Sequence, residues 1–185
     1  MSRLPRLHPD ALDDDQRRLY TEITGGRRAS EPQHFRLTDD DGRLEGPFNA
    51  MLLNPTIGDA LQGCGAAIRY GGRLSERSRE IAILAVAAHW RCSFERRAHE
   101  PIAANAGLRD DQLAAIHDAG PVDLDDAEEA LIYQLVRELL DEQDLDDGAY
   151  ERAVEVLGAD QIFELTTLVG YYSLLALQMR IFRVS

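Results

Sequence analysis

The stretch "LSERSREIAILAVAAHWRC" limits the fold more than any other. From Ile81 to Ala88 every residue is apolar. Ser75 is placed to cap a helix, and Glu76 falls in the first turn, where the helix dipole favours a carboxylate. A helix that is apolar all round is packed all round. The rest of the chain must therefore supply helices to surround it.

The spacing of apolar residues provides them. Residues 11–24 read as a short amphipathic helix carrying Leu12, Leu19, Tyr20 and Ile23. Residues 56–70 set Ile57, Leu61, Cys64 and Ile68 on one face, and "GGR" closes that helix. "CSFERRAHEPIAANAG" follows the central helix and ends at Gly107, with Pro101 expected to kink or divide it. "LRDDQLAAIHDAG" makes a short helix, and residues 125–142, 147–157 and 160–180 make three more. Residues 25–46 read as polar loop, and Asn54-Pro55 marks a boundary. No run reads as a strand, and no hairpin signal is flanked by alternating residues. The expectation is an all-α protein of about eight helices. Residues 1–45 read as an N-terminal extension with a short helix and a polar loop, ahead of the remaining helices at 46–185.

Charge and composition remove several functions. The chain of 185 residues carries a net charge of −13, which repels a phosphate backbone, so nucleic acid is not an expected partner. All 20 basic residues are arginine, so lysine Schiff bases, lysine-bound pyridoxal and P-loop chemistry are excluded. "MSRLPRLHPDALDDDQ" has no apolar signal core, and the apolar runs "IAILAVAA" and "LTTLVGYYSLLAL" are shorter than the roughly 20 residues a membrane span needs. A cytoplasmic location with no membrane partner follows as an expectation. Two cysteines do not make a disulfide framework. "DDDG" lacks the spacing and the closing glutamate of an EF-hand loop and reads as a solvated turn.

Chemistry concentrates in "HWRCSFERRAHE", residues 89–100. At about 100° per residue, Glu95 and His99 lie about 60° and about 20° from Cys92, so the three share one helical stripe. His89 joins it if the helix extends back one turn. A thiolate needs a cation or proton acceptor beside it, a histidine can be that partner, and a carboxylate can orient the histidine. The same residues also suit a solvated helix face beside a packed cysteine. Glu80, the last acid before the apolar run, either points inward or pairs with Arg73, Arg77 or Arg79. His8 and His34 lie in polar segments, and His117 sits near a helix end, where positive charge suits the dipole. His89, Cys92 and His99 on one stripe make poor tetrahedral geometry, so no metal is expected.

"GPFNAMLLNP", "YGGRLSERSREIAILAVAAHWRCSFERRAHEPIAANAGL" and "ELTTLVGYYSLLAL" together resemble the carboxymuconolactone decarboxylase and alkylhydroperoxidase-like superfamily, from about Gly46 to the C-terminus. The resemblance implies a helical bundle of the alkylhydroperoxidase-like type, assembled as a homo-oligomer (dimer, trimer or hexamer). Glu80, Cys92 and His99 fall on the glutamate, first cysteine and histidine of the peroxidase branch, and Glu95 stands where that branch has its second cysteine. Without a thiol at 95 the local dithiol cannot form. Cys64 resolves Cys92 only if their Cα atoms come within about 7 Å.

Three functions follow, none needing a cofactor. In the first, the protein does acid–base chemistry, decarboxylation or proton transfer, on a small organic acid, lactone or carbonyl compound. His99 is then the acid–base residue, Glu95 and Glu80 assist it, Cys92 lines the pocket, and His89 and Arg96 bind substrate. In the second, Cys92 is the single peroxidatic thiol of a thiol-dependent peroxidase, activated by His99. In the third, a non-catalytic oligomer binds a small ligand.

Overall fold

The computed structural model describes residues 2–26 and 36–184. His34 lies outside them. Apart from a 3-10 turn at Pro9–Ala11, the regular structure among the described residues is eight α-helices: α1 (Asp14–Gly25), α2 (Pro47–Met51), α3 (Pro55–Gly71), α4 (Glu76–Trp90), α5 (Ser93–Asn105), α6 (Asp110–His117), α7 (Ala127–Asp141) and α8 (Asp147–Phe182). The all-α expectation holds. Contacts group the chain into two compact units, Met1–Tyr70 with Leu177–Ser185, and Gly71–Ala176.

In the first unit, α1 opens with a capping box. The Asp13 carboxylate accepts from the Gln16 backbone N–H at 2.8 Å, and the Gln16 side chain accepts from Asp13 N–H at 3.1 Å. "TDDDGRL" is the solvated turn expected, with one addition. Asp39 Oδ1 accepts from the N–H groups of Asp41 and Arg43 at 3.0 and 2.8 Å, and Gly42 takes φ 78°. These bonds bring Thr38 and Leu44 into one antiparallel bridge.

Helix α3 departs from its pattern. Of Ile57, Leu61, Cys64 and Ile68, only Ile68 is buried, while Ile57 is 56% exposed. The buried face is offset by one position and runs through Gly58, Gly65 and Ile68. A Cβ on Gly58 would lie 2.5 Å from the Met51 carbonyl oxygen and 2.8 Å from Leu19 Cδ2, so only glycine lets α1 and α2 approach this closely. Close backbone approach wins over side-chain size, and the larger apolar residues of α3 face outward.

In the second unit, α4 is the central helix. It packs against α5, α6 and α7. Glu80 and every residue from Ile81 to Ala87 are buried. Ser75 caps it, its hydroxyl accepting from Ser78 N–H at 2.9 Å. Arg77 ties the neighbours together: its Nε donates to Glu129 on α7 at 2.9 Å, and its guanidinium reaches Gln112 on α6 at 3.3 Å.

Pro101 neither kinks α5 enough to break it nor divides it. Proline removes one donor and crowds one carbonyl, and α5 continues past it to Asn105. The two final helices expected at 147–157 and 160–180 are both present, joined end to end within α8 across a kink at Gly158, where φ 76° and ψ 159° lie outside the helical region. By length and composition α8 is apolar enough to cross a membrane, and 44% of its most apolar stretch is buried. Leu165, Leu168 and Leu175 supply part of that buried side, the pattern of a helix packed on a protein core.

Candidate functional site

The site is built on the turn between α4 and α5. Arg91 takes a left-handed conformation, φ 52° and ψ 43°, and its N–H donates to Ala88 O at 3.0 Å. The next residue, Cys92, donates from its N–H to Ala87 O at 2.8 Å. These two bonds stop α4 and reverse the chain. Cys92 is then the N-cap of α5, with φ −88° and ψ 97°, and its carbonyl accepts from Arg96 N–H at 3.1 Å.

This corrects one part of the sequence reading. His89 does not join the stripe of Cys92, Glu95 and His99, because the helix does not extend back through residue 91. It lies on α4, half-exposed, with Nδ1 3.6 Å from Asp141 on α7.

Glu80, Glu95 and His99 do come together. All three are sealed from solvent, at 1%, 4% and 4% exposure. Glu80 points inward from α4, and His99 Nδ1–H donates to Glu80 Oε2 at 2.6 Å. The other ring nitrogen, Nε2, is 3.4 Å from Glu95 Oε2 one turn earlier on α5. The Tyr172 ring of α8 stands edge-on to the imidazole, centroids 5.4 Å apart. Arg79 Nε, buried and without a hydrogen-bond partner, lies 3.9 Å from Glu80 Oε1. The order Arg79, Glu80, His99, Glu95 thus alternates positive and negative groups, the last three buried and Arg79 12% exposed at its side chain.

Burial alone would disfavour a charged imidazole here. The carboxylate of Glu80, and then that of Glu95, outweigh it, and the His99 pKa is pushed up to about 9. At neutral pH His99 is an imidazolium with both nitrogens engaged. One atom of the group is left over: Glu95 Oε1 is buried and has no hydrogen-bond partner. A buried, unpaired carboxylate oxygen is costly, and it is the natural place for a proton to arrive.

Cys92 is half-buried. Burial pushes its thiol above the ordinary value. The backbone N–H groups of Glu95 and Phe94 pull it down, the Glu95 carboxylate pushes it up again, Arg97 pulls it down, and the net shift is upward. The structure thus holds the thiol protonated at neutral pH, the reverse of an activated peroxidatic cysteine. Cys64 and Cys92 are both free thiols.

Beside Cys92 opens a cavity of about 530 Å³, lined among others by His89, Arg91, Ser93, Arg96 and His117. Cys92 belongs to this wall, and its thiol feels the Glu95 carboxylate. Neither His99, Glu80 nor Glu95 lines the cavity. Arg96 bonds to two neighbours, with Nε to Glu100 at 2.6 Å and a terminal N–H to His117 Nε2 at 2.8 Å. Arg91 and His117 were not visible as pocket residues in the sequence. A left-handed arginine carries no mark of its own, since glycine is the usual signal for that conformation. Among the described residues no group of three or more His, Cys, Asp and Glu side chains is arranged to hold a metal ion.

The carboxymuconolactone decarboxylase family model matches residues 55–135, which include α3, α4, the whole of α5 and most of α7. Among solved structures, the alkylhydroperoxidase AhpD core protein of Ralstonia eutropha JMP134, described as an uncharacterized peroxidase-related protein, is similar over 100% of this chain and 91% of its own, with TM-score 0.75 and 16% identity. An uncharacterized peroxidase-related protein from Silicibacter sp. TM1040 is similar over the same shares, with TM-score 0.73 and 12% identity. Identities this low speak for the fold. No curated protein matches the sequence.

Proposed function

We propose that this chain, whose residues 55–135 carry a carboxymuconolactone decarboxylase family domain, is a cofactor-free enzyme that moves a proton to or from carbon in a small organic acid, lactone or carbonyl compound. One observation carries the reading: Glu95 has one oxygen against a buried imidazolium and the other buried and unpaired. A carboxylate so held can take a proton from a carbon next to a carbonyl. In the opposite direction, the His99 imidazolium gives its Nε2 proton to Glu95, and Glu95 passes it to the carbanion left when carbon dioxide departs, leaving His99 neutral. Both nitrogens of His99 are engaged, so the acid–base atom left with a free lone pair is Glu95 Oε1, with His99 and Glu80 behind it; it is sealed and off the cavity wall, so contact with substrate requires the site to open. Cys92 lines the cavity, and the Glu95 carboxylate acts on its thiol.

Proton exchange tests it without knowledge of the substrate. In D2O, a panel of small keto acids and carboxylated lactones is followed by proton NMR with the native chain, Glu95→Gln and Cys92→Ser. The reading expects deuterium uptake or carbon dioxide loss for at least one compound, lost with Glu95→Gln and kept with Cys92→Ser. No exchange across the panel, together with thiol-dependent peroxide turnover that Cys92→Ser abolishes, would replace it with the single-thiol peroxidase. That second reading is favoured by the place of Cys92 on the cavity wall at the start of α5, where backbone N–H groups face the sulfur.

The same reading takes the working form as a homo-oligomer. Leu53 and Ile57 are exposed, with Leu61 and Cys64 half-buried beside Ile57 on the outward face of α3. Apolar faces of this kind are typical of contacts between copies. Light scattering on Ile57→Asp should show a smaller particle than the native chain; an unchanged mass removes α3 from the interface.

A further inference from the structure

The cavity beside Cys92 contains a cation that nothing in the fold accounts for. The protein carries 33 acidic residues, and most of the arginines described in ion pairs lie against one or more of them: Arg6 with Asp39 and Glu45, Arg109 with Asp111 and Asp125, Arg137 with Asp141. Arg91 is different. Among the described residues no carboxylate pairs with it, and it is an exposed residue that lines the cavity. Its backbone is left-handed, with φ 52°, a conformation that glycine adopts without penalty and a residue with a Cβ does not.

We propose that Arg91 is the specificity-determining residue of this cavity, selecting small organic anions and holding their carboxylate beside Cys92. This rests on the acid–base reading, and it names the charge that a substrate brings. Arg96 stands on the same wall, but its Nε is taken by Glu100 and one terminal N–H by His117. The guanidinium of Arg91 is thus the one on this wall with its planar set of donors open to a carboxylate. Of the other charged groups on the wall, Asp118 opposes an anion, and His89 lies 3.6 Å from Asp141. The cavity is mildly rather than strongly cationic, and removal of one charge should be felt.

Two thiol reagents of nearly equal size measure the selection. Iodoacetate is an anion and iodoacetamide is neutral, and the same thiolate attacks both, displacing iodide. The ratio of their rates at Cys92 therefore cancels the thiolate fraction and reports the field in the cavity. The measurement is made on the full chain in a Cys64→Ser background. Arg91→Gly removes the guanidinium and relieves the backbone, so a fold failure is not expected; Arg91→Gln keeps the side-chain bulk as a second variant. The inference expects both to lower the iodoacetate-to-iodoacetamide ratio about threefold to fivefold, the range of one partly exposed charge pair. Asp118→Asn should raise it, and added salt should shrink both effects. A ratio unchanged by Arg91→Gly and Arg91→Gln overturns the proposal, whatever Asp118→Asn does.

If the thiol reacts too slowly with either reagent, benzoate and benzamide give the same comparison. Their binding is followed by the backbone amide NMR signals of Ser93 and Ala119. A preference for benzoate that Arg91→Gly abolishes supports the proposal, and equal binding, or binding of neither, overturns it. A chain that selects anions but exchanges no proton on carbon keeps this inference and loses the acid–base reading. One that exchanges protons without selecting anions does the reverse.

Discussion

His99 Nδ1 lies 2.6 Å from Glu80 Oε2, and neither side chain is more than 5% exposed. The partners come from adjacent helices, α4 and α5, so the bond joins the central helix to the one that carries the candidate acid–base group. Charged pairs at this depth are favourable only while both members are present.

The first prediction concerns pH. The folded pKa of His99 is about 9 against an ordinary 6.5. A raised folded value means that the stabilising contribution is complete below about pH 6.5 and disappears as pH rises through about 9. Urea unfolding at pH 6 and pH 10 should show a loss at the higher pH on the order of 3 kcal/mol from this residue. His99→Gln should flatten that part of the profile. An equal slope in the two proteins would remove His99 as its source.

Glu80→Ala should cost about 3–5 kcal/mol, because it leaves a buried imidazolium and Arg79 without their shared carboxylate. Thermal unfolding measures it. In the same variant, the His99 ring titration followed by NMR should move down from about 9, since the neighbour first responsible for holding it up is gone.

The Cys92 thiol should be slow to alkylate at neutral pH, with an apparent pKa above the ordinary thiol value, because burial and the Glu95 carboxylate both work against the thiolate. Glu95→Gln removes one of these and should lower that pKa. A native thiol that ionises well below the ordinary range, and returns there when His99 is replaced by alanine, would move the peroxidase reading to the front.

Gly58→Ala should destabilise by about 1–3 kcal/mol, the range for forcing a methyl group into a packed interface. The new Cβ meets a backbone oxygen at 2.5 Å, which cannot rotate away as a side chain can. Gly63→Ala, with nothing within 4 Å, is the control in the same helix and should be neutral or slightly stabilising. Chemical denaturation of the two variants separates close approach from helix propensity.

Helix type and order were legible because apolar spacing reports them directly. The all-apolar run at 81–88 placed α4 at the centre, and Glu80 and His99 meet as the family resemblance implied. Three things were not legible, each for a physical reason. The sharp stop of α4 depends on a left-handed Arg91, which looks in sequence like any other helical residue, so whether the next helix reaches back to His89 stays open in the sequence; it does not. The inward face of α3 is chosen by the backbone approach at Gly58, which a count of apolar side chains does not register. The cavity draws His117 from the end of α6, distant in sequence from Cys92 and joined to Arg96 only by the folding of the second unit. The alternation of Arg79, Glu80, His99 and Glu95 needed both neighbouring helices before it existed at all.

That alternation has an evolutionary consequence. Two negative groups and the His99 imidazolium share a sealed space, and the partly exposed Arg79 reaches its edge. A single neutral replacement among the sealed three leaves an odd charge without solvent, whereas a matched double replacement does not. Across descendants of this sequence the four positions should drift in compensating pairs. Arginine at 79 would be given up together with one of the carboxylates, and glutamate at 95 would be exchanged for a neutral residue only alongside a second change in the set.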